Sequence, residues 1–584
     1  MKSNRGVHDS TQGNEQLSSF AWTLTATIAL FPIFVQLGVM ASLLAGRVGL
    51  RGVFPAAALA SMLAGNRLLR RQGFAVTAQC QAAIIFLFLL IASLVLSGFF
   101  FDFSWDGQWY HQTAIIHIAQ DWNPLTDPMH NFAPNVETWD RHYAKGPWYF
   151  AAAVYQTTGH IEWGKAINWL ALAASFLGVF AACVNGGMHR INALAIAFVV
   201  AVNPVVMSEV TTYLVDAVMI SFLVVAVSAL LACFHRHSVP ALVAGVAGAI
   251  ACTNAKFTGL VYLCFALAAG AIWCTLRQRK WLLKYVSITA AALFLAACVW
   301  GFNPYVTNTY YRAQPFYPML GSSKYPSLEQ SNRDGNEKYE TPKNMVGRSL
   351  PVRFGYSIFG RPGNQPYEKG KNASLMWPFS ATSPDLYAYK YHETRVAGFG
   401  PFFSGCLILA FLLGLLLIFN ERAARWSLVL IAATVILSLG LSRHLWWPRY
   451  GPQLWLLPIL PLAFAFQQRV SGYKLVLTRV VLFLLIADAA IVSWVRLKWE
   501  TNASITLRQQ LKQMRESGQV YDVQTNYFDD SWRIRLLEAG VKFQDVGMKK
   551  LPGSQELMSV VEGYPLAIHY RPASGSDSKE TESR

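Results

Sequence analysis

The chain has 584 residues, of which 54% are hydrophobic and 14% aromatic but only 14% charged, and its formal net charge is +17. So few charges over such a length exclude a protein soluble throughout, because too little polar surface is available to cover it. The Lys and Arg excess is dispersed rather than massed on one stripe, so no nucleic-acid partner is expected.

Residues 1–19 are polar, with neither an apolar core nor a small-residue cleavage site, and read as a cytoplasmic tail rather than a removed signal. Apolar runs, each enough for about 30 Å of hydrocarbon, follow near 20–45, 50–66, 79–101, 163–184, 190–207, 213–234, 239–253, 257–275, 282–302, 397–419, 426–442, 451–467 and 475–495. They predict a mainly α, polytopic membrane bundle of about thirteen transmembrane helices over 20–495. Arg67, Arg70, Arg71, Arg190, Arg236, Arg277 to Lys284, Arg422, Arg425 and Arg469 to Arg479 fall in short loops at every second helix end. That is the positive-inside pattern; it puts the N-terminus in the cytoplasm and the loops 102–162 and 303–395 outside, with the tail after 496. All eight cysteines lie within apolar runs, so neither a disulfide framework nor structural zinc is expected.

Directly after the third run comes FDFSWDGQWYHQTAIIHIAQDW, residues 101–122, with Asp102 and Asp106 at the mouth of the bundle. Helical spacing puts Asp106, Tyr110, Thr113 and His117 on one face of a helix lying along the membrane surface. Either acid serves there as a helix cap or as a general base for an attacking hydroxyl. HYAKGPWYFAAAVYQTTG then places Lys145 at a helix start, where it is an interface anchor or an anion ligand. Asp216 follows Glu209 at the outer end of the sixth run, as a cap or as a functional acid. Lys256, Arg443 and Arg449 repeat the anomaly of Lys145: cations on the side where the charge rule disfavours them, which suits an anionic group such as phosphate. His111 and Tyr110 are further polar candidates beside Asp106.

The 303–395 loop is rich in Pro, Gly, Tyr and Asn and reads as a binding loop over the cavity. After 496 the pattern turns to a small external α/β domain, 496–572. Helices are predicted at ASITLRQQLKQMRES and DDSWRIRLLEAG, and strands at QVYDV, VKFQDV and YPLAIHY. Residues 573–584 have nothing to bury and are expected to be disordered.

These segments resemble the GT-C superfamily of polytopic glycosyltransferases, in the branch of protein O-mannosyltransferases and lipid A aminoarabinose transferases. Asp106 in SWDGQWYH resembles the first acid of that family's Asp-Glu pair, and Lys145 its Lys-Pro-Pro segment. Asp216 in YLVD is similar to the acid opening a later helix, and Arg449 with Tyr450 in RYGPQLWLLPILP to the Arg/Lys-Tyr-x-x-Pro segment. Gly107 stands where the family has its second acid, and Gly146 with Pro147 where it has two prolines. The resemblance implies an inverting transfer from a polyprenyl-phosphate sugar, a substrate rather than a cofactor, to an external lipid, glycan or protein. It gives Asp106 and Asp216 the catalytic role and Lys145, Arg449 and Tyr450 the binding of substrate; the residues themselves add Asp102 to the catalytic candidates, and Arg443, Lys256, His111 and Tyr110 to the substrate-binding ones. No metal is expected; the lack of external cysteines and the compact loops suggest a bacterial inner membrane, whose lipids are the chain's first partners. The alternatives are a glycan ligase or polymerase of the O-antigen type, resting on Arg and His of a late loop, and a transporter or flippase, which would carry its ionisable residues at mid-membrane.

Overall fold

The computed structural model describes residues 2–331, 341–364, 372–420, 422–440, 442, 444–559 and 567–573. An apolar helix coincides with every one of the expected runs. Eight are long enough to cross a membrane: Gly13–Leu44, Leu50–Arg71, Val76–Phe99, Ile161–Asn185, Asp216–His235, Phe257–Arg277, Arg279–Trp300 and Gly472–Ser517. Arg190–Ala201, Val239–Ala255, Phe403–Phe419, Trp426–Leu439 and Pro452–Gln467 are shorter. The most apolar 18-residue window of Arg279–Trp300 is only 11% buried by protein, and that of Val76–Phe99 only 28%. Bare apolar helix faces of that size, with Phe88, Ile91 and Val95 all exposed, need lipid against them.

Polar contacts tie together one end of the bundle. Arg190 donates to Asn14 at 2.8 Å and Arg236 pairs with Glu15, while Gln278 and Gln467 donate to the carbonyls of Phe234 and Gly186. These are the loops with the basic excess. At the opposite end, Arg47 donates to the Ile118 carbonyl, joining the first helical hairpin to the 102–162 segment.

The helix Gly472–Ser517 runs through 496 without interruption for 46 residues, so the boundary read there from composition is not a break in the chain. Its last turns form one wall of the C-terminal domain, and Gly518, at φ 66°, ends it in the left-handed conformation that glycine allows. Beyond it, β1 (Val520–Gln524), β2 (Lys542–Asp545), β3 (Gln555–Leu557) and β4 (Ile568–Pro572) make a sheet in the order β2-β1-β4-β3. β1 and β2 are parallel, joined through the helix Asp529–Glu538, and β4 is antiparallel to both β1 and β3. The YPLAIHY strand is thus found at its last residues, its first three lying outside the described segment. Phe103, from the 101–122 stretch, is completely buried in this domain's core with Leu507, Leu511, Met514 and Trp532. That insertion fixes where Asp106 sits.

Candidate active site

Within 101–122 the backbone is not a regular α-helix. Gly107–His111 makes a π turn before the α-helix Gln112–Gln120 begins, and such a turn inserts an extra residue and shifts every later side chain around the axis. The expected stripe of Asp106, Tyr110, Thr113 and His117 is split accordingly. Asp106 has His111 among its electrostatic neighbours, whereas His117 and Thr113 meet Asp530 of the C-terminal domain.

Arg449, in the short turn Pro448–Tyr450, donates to the Asp106 carboxylate at 3.0 Å and on its other side to Glu393. Glu393 in turn lies 3.7 Å from Arg395. Both guanidinium groups lie over the Trp447 ring, at 3.9 Å for Arg395 and 4.6 Å for Arg449, a stacking that guanidinium favours. Burial acts to raise the Asp106 carboxyl, but Arg449 beside it prevails and holds it below the usual carboxylate range. Asp106 is therefore ionised at neutral pH, and at 21% its side chain is the most open of this group.

Lys256 sits at the break between Val239–Ala255 and Phe257–Arg277, where its extended backbone ends one helix and starts the next. Its ammonium group is 2.6 Å from Asp216 Oδ1 and 4.9 Å above the Tyr450 ring. Asp216 opens the helix Asp216–His235 without capping it; Glu209 does that, accepting the Ala217 amide at 2.9 Å. Asp106, His111, Asp216, Lys256, Arg449 and Tyr450 thus come together from separate parts of the chain, with Tyr110 packed on the His111 ring at 4.3 Å. Asp106 and Asp216 are each engaged by their own cation. His111 accepts a 2.7 Å hydrogen bond from Trp148 through Nδ1, and burial pushes its imidazole down to about 3, so it is neutral.

Two expected site residues lie elsewhere. Asp102 Oδ1 accepts the Ser104 amide and Oδ2 the Tyr213 amide, both at 2.7 Å, and its charged neighbours are Lys165, Glu162 and Arg535. It is a joint between backbone segments. Lys145 is completely buried, donating to the carbonyls of Tyr143 at 2.8 Å and Arg141 at 3.1 Å, boxed by the Trp122 and Trp148 rings and influenced by Asp140 rather than by any group of the Asp106 cluster. Arg443 lies outside the described residues.

The sequence reading missed Glu393 and Arg395. Their signal was HETR, a polar quartet with an acid and a base at the end of the long loop, two residues before GFGPFF. The cluster holds three cations, Lys256, Arg395 and Arg449, against the carboxylates of Asp106, Asp216 and Glu393, all with side chains 21% exposed or less. Each cation is paired with a carboxylate, and removing any one partner would leave a buried charge uncompensated.

Below it an apolar cavity of about 580 Å³ runs between helices. It extends from Gly186, Gln278 and Gln467 at the end tied by the basic loops to Tyr262, Ser438 and Gln453 at the other. The Tyr262 hydroxyl donates to the Tyr450 carbonyl at 2.7 Å, so the cavity ends one side chain away from the charged cluster. No family model, curated protein or solved structure matches this chain.

Proposed function

We propose that the chain is a membrane glycosyltransferase that moves a sugar from a polyprenyl-phosphate donor to an external lipid, glycan or protein, with inversion. The observation that carries this reading is the meeting of Asp106, Lys256 and Arg449 at the head of a long apolar cavity, an arrangement suited to a ligand with an isoprenoid tail and a phosphate head. The five shorter apolar helices complete a bundle of thirteen spans, with the N-terminus cytoplasmic, the cluster on the outer side and a bacterial inner membrane as the setting.

In the proposed step the acceptor oxygen attacks the anomeric carbon and gives its proton to Asp106. The bond from that carbon to the phosphate oxygen breaks, and its electron pair leaves with the phosphate. The leaving group is already anionic, so charge stabilisation serves it better than a proton. Arg449, Lys256 and Arg395 supply it. A carboxylate held as acidic as Asp106 is a weak base; as Arg449 turns to the phosphate, Asp106 loses its partner and its proton affinity rises when the donor arrives.

The test is transfer from a panel of radiolabelled polyprenyl-phosphate sugars, comparing wild type with Asp106→Asn at matched expression. Transfer by the wild type with a loss of about 10²- to 10⁴-fold in the variant is expected for removal of a general base. Transfer that persists in Asp106→Asn sinks this mechanism and favours the ligase-type reading, for which Arg395 of the late loop is the candidate.

A further inference from the structure

We propose that His117, Asp121 and His130 form a binding site for a divalent transition metal of the zinc type, with Asp530 on the far nitrogen of His117 fastening the C-terminal domain to the interfacial helix. The inference is independent of the glycosyltransferase reading.

His117 lies in the helix Gln112–Gln120, Asp121 follows it, and His130 is in the loop beyond. One ligand atom from each lies within 4.8 Å of the others, close enough for small side-chain adjustments to set them about 2.0–2.2 Å from one shared ion. Further observations point the same way. His130 Nδ1 is 2.8 Å from Asp127 Oδ2, which leaves Nε2 directed away, and a carboxylate on the far nitrogen is the usual orienting partner of a metal-bound imidazole. His117 has Asp121 at 2.9 Å from Nδ1 and Asp530, from the helix Asp529–Glu538, at 3.7 Å from Nε2. The rings are held by an aromatic wall: Phe132 meets both edge-on, at 5.1 and 4.9 Å, and Trp122 lies over His130. With side-chain exposures of 27%, 59% and 22% for His117, Asp121 and His130, an ion can enter from solvent.

Three carboxylates, those of Asp121, Asp127 and Asp530, surround the two imidazoles; Arg533 lies 3.7 Å from Asp530 and Arg47 acts on Asp121, and the negative charge left over is one a divalent cation offsets. Two nitrogens and one carboxylate oxygen, with water in the fourth position, suit zinc, whereas calcium and magnesium prefer oxygen alone. Without an ion the same residues make only surface hydrogen bonds, each worth tenths of a kcal/mol. If those hydrogen bonds were all the residues do, the cluster would bind metal no better than its variants.

Zinc alone would be titrated at neutral pH, against a chromophoric chelator, into the tag-free full chain in lipid nanodiscs. Wild type, the double variant His117→Ala/His130→Ala, the milder His130→Gln and Asp530→Asn would be compared, each checked for folding by its unfolding transition without metal. The expected result is one ion per chain, affinity about tenfold or more weaker in both histidine variants, and a rise in wild-type Tm on zinc addition that the double variant lacks. X-ray absorption should show nitrogen and oxygen ligands without sulfur, which separates this site from the free cysteines. Equal zinc binding by wild type and the histidine variants, or a sulfur-ligated ion, overturns the site. Binding unchanged in Asp530→Asn overturns the fastening.

Discussion

At Gly107 the local geometry leaves room for nothing larger than glycine. A Cβ built there would lie 1.9 Å from Asp102 Oδ2 and 2.3 Å from Ser104 Oγ, so no acid fits where the resembled family carries its second carboxylate. Gly107→Ala is expected to cost about 1–3 kcal/mol through overpacking and to lower activity by displacing Asp106, read by thermal unfolding and by transfer at matched protein. A variant as stable and active as wild type would remove the close approach. His142 gives a second residue-scale prediction, one apart from the Asp106 cluster. Arg312 donates to its Nε2 and Asn308 Oδ1 accepts from Nδ1, while burial pushes the imidazole down to about 3 from an ordinary 6.5. Between those values the unfolded chain binds the extra proton, so stability rises with pH by up to about 1.4 kcal/mol per unit for this group and levels off above 6.5. Unfolding followed from pH 4 to 8 should show that slope, reduced in His142→Gln; an unchanged slope would assign it to other groups. Asp106, Asp216, Lys256 and Arg449 were legible because a charge beside apolar sequence is conspicuous. Lys145 and Asp102 were equally conspicuous, yet buried carbonyl and amide groups satisfy them, and no sequence pattern reports which charges find a backbone partner.

The element that decides the site is the 101–122 stretch. Its amphipathic pattern was visible, but a hydrophobic period cannot reveal one inserted residue, and the π turn at Gly107–His111 moved His117 away from Asp106. The C-terminal domain grips this stretch through Arg535, which donates to Gln108 Oε1, Glu162 and the Asp102 carbonyl, with Lys165 also paired to Glu162. Trp532 donates to the same Gln108 oxygen at 2.9 Å. The Arg535, Glu162 and Lys165 side chains are all at least 93% buried. Removing one partner from such a joint strands the others, so Arg535→Ala is expected to destabilise the docked domain by about 3–5 kcal/mol. Limited proteolysis near Gly518 should then outpace wild type before the membrane bundle melts. Proteolysis at the wild-type rate would mean that Phe103 and the apolar core hold the domain without the ionic joint. The sequence showed this domain's helices and three of its strands, each a local pattern, but not the three-residue β3 at Gln555–Leu557, too short to leave an alternation. Its docking onto residues some 400 positions earlier depends on partners that no local window contains.

At the scale of the whole molecule, the thirteen apolar runs and their alternating basic loops already state a bundle with two chemically different ends. What they do not state is the space left between helices, because a cavity is set by how neighbouring side chains fill a common volume. Six helices line the cavity, and its upper end touches Tyr262 and Gln453, near the breaks at Lys256 and Pro452 where backbone irregularity brings charge close to hydrocarbon. If that space holds the donor's isoprenoid chain, the tail contributes binding in proportion to the apolar surface buried, about 25 cal/mol per Å², and the phosphate cluster supplies the rest. Filling the cavity should then discriminate donors by tail length. Ala463→Trp and Val227→Trp, both on the cavity wall and away from the charged cluster, are expected to raise KM for long-chain polyprenyl-phosphate sugars by tenfold or more. KM for a short farnesyl-type donor and kcat for both donors should stay near wild type. An equal change for short and long donors would place the tail elsewhere, on the lipid-exposed faces of the bundle, and leave the cavity as packing space.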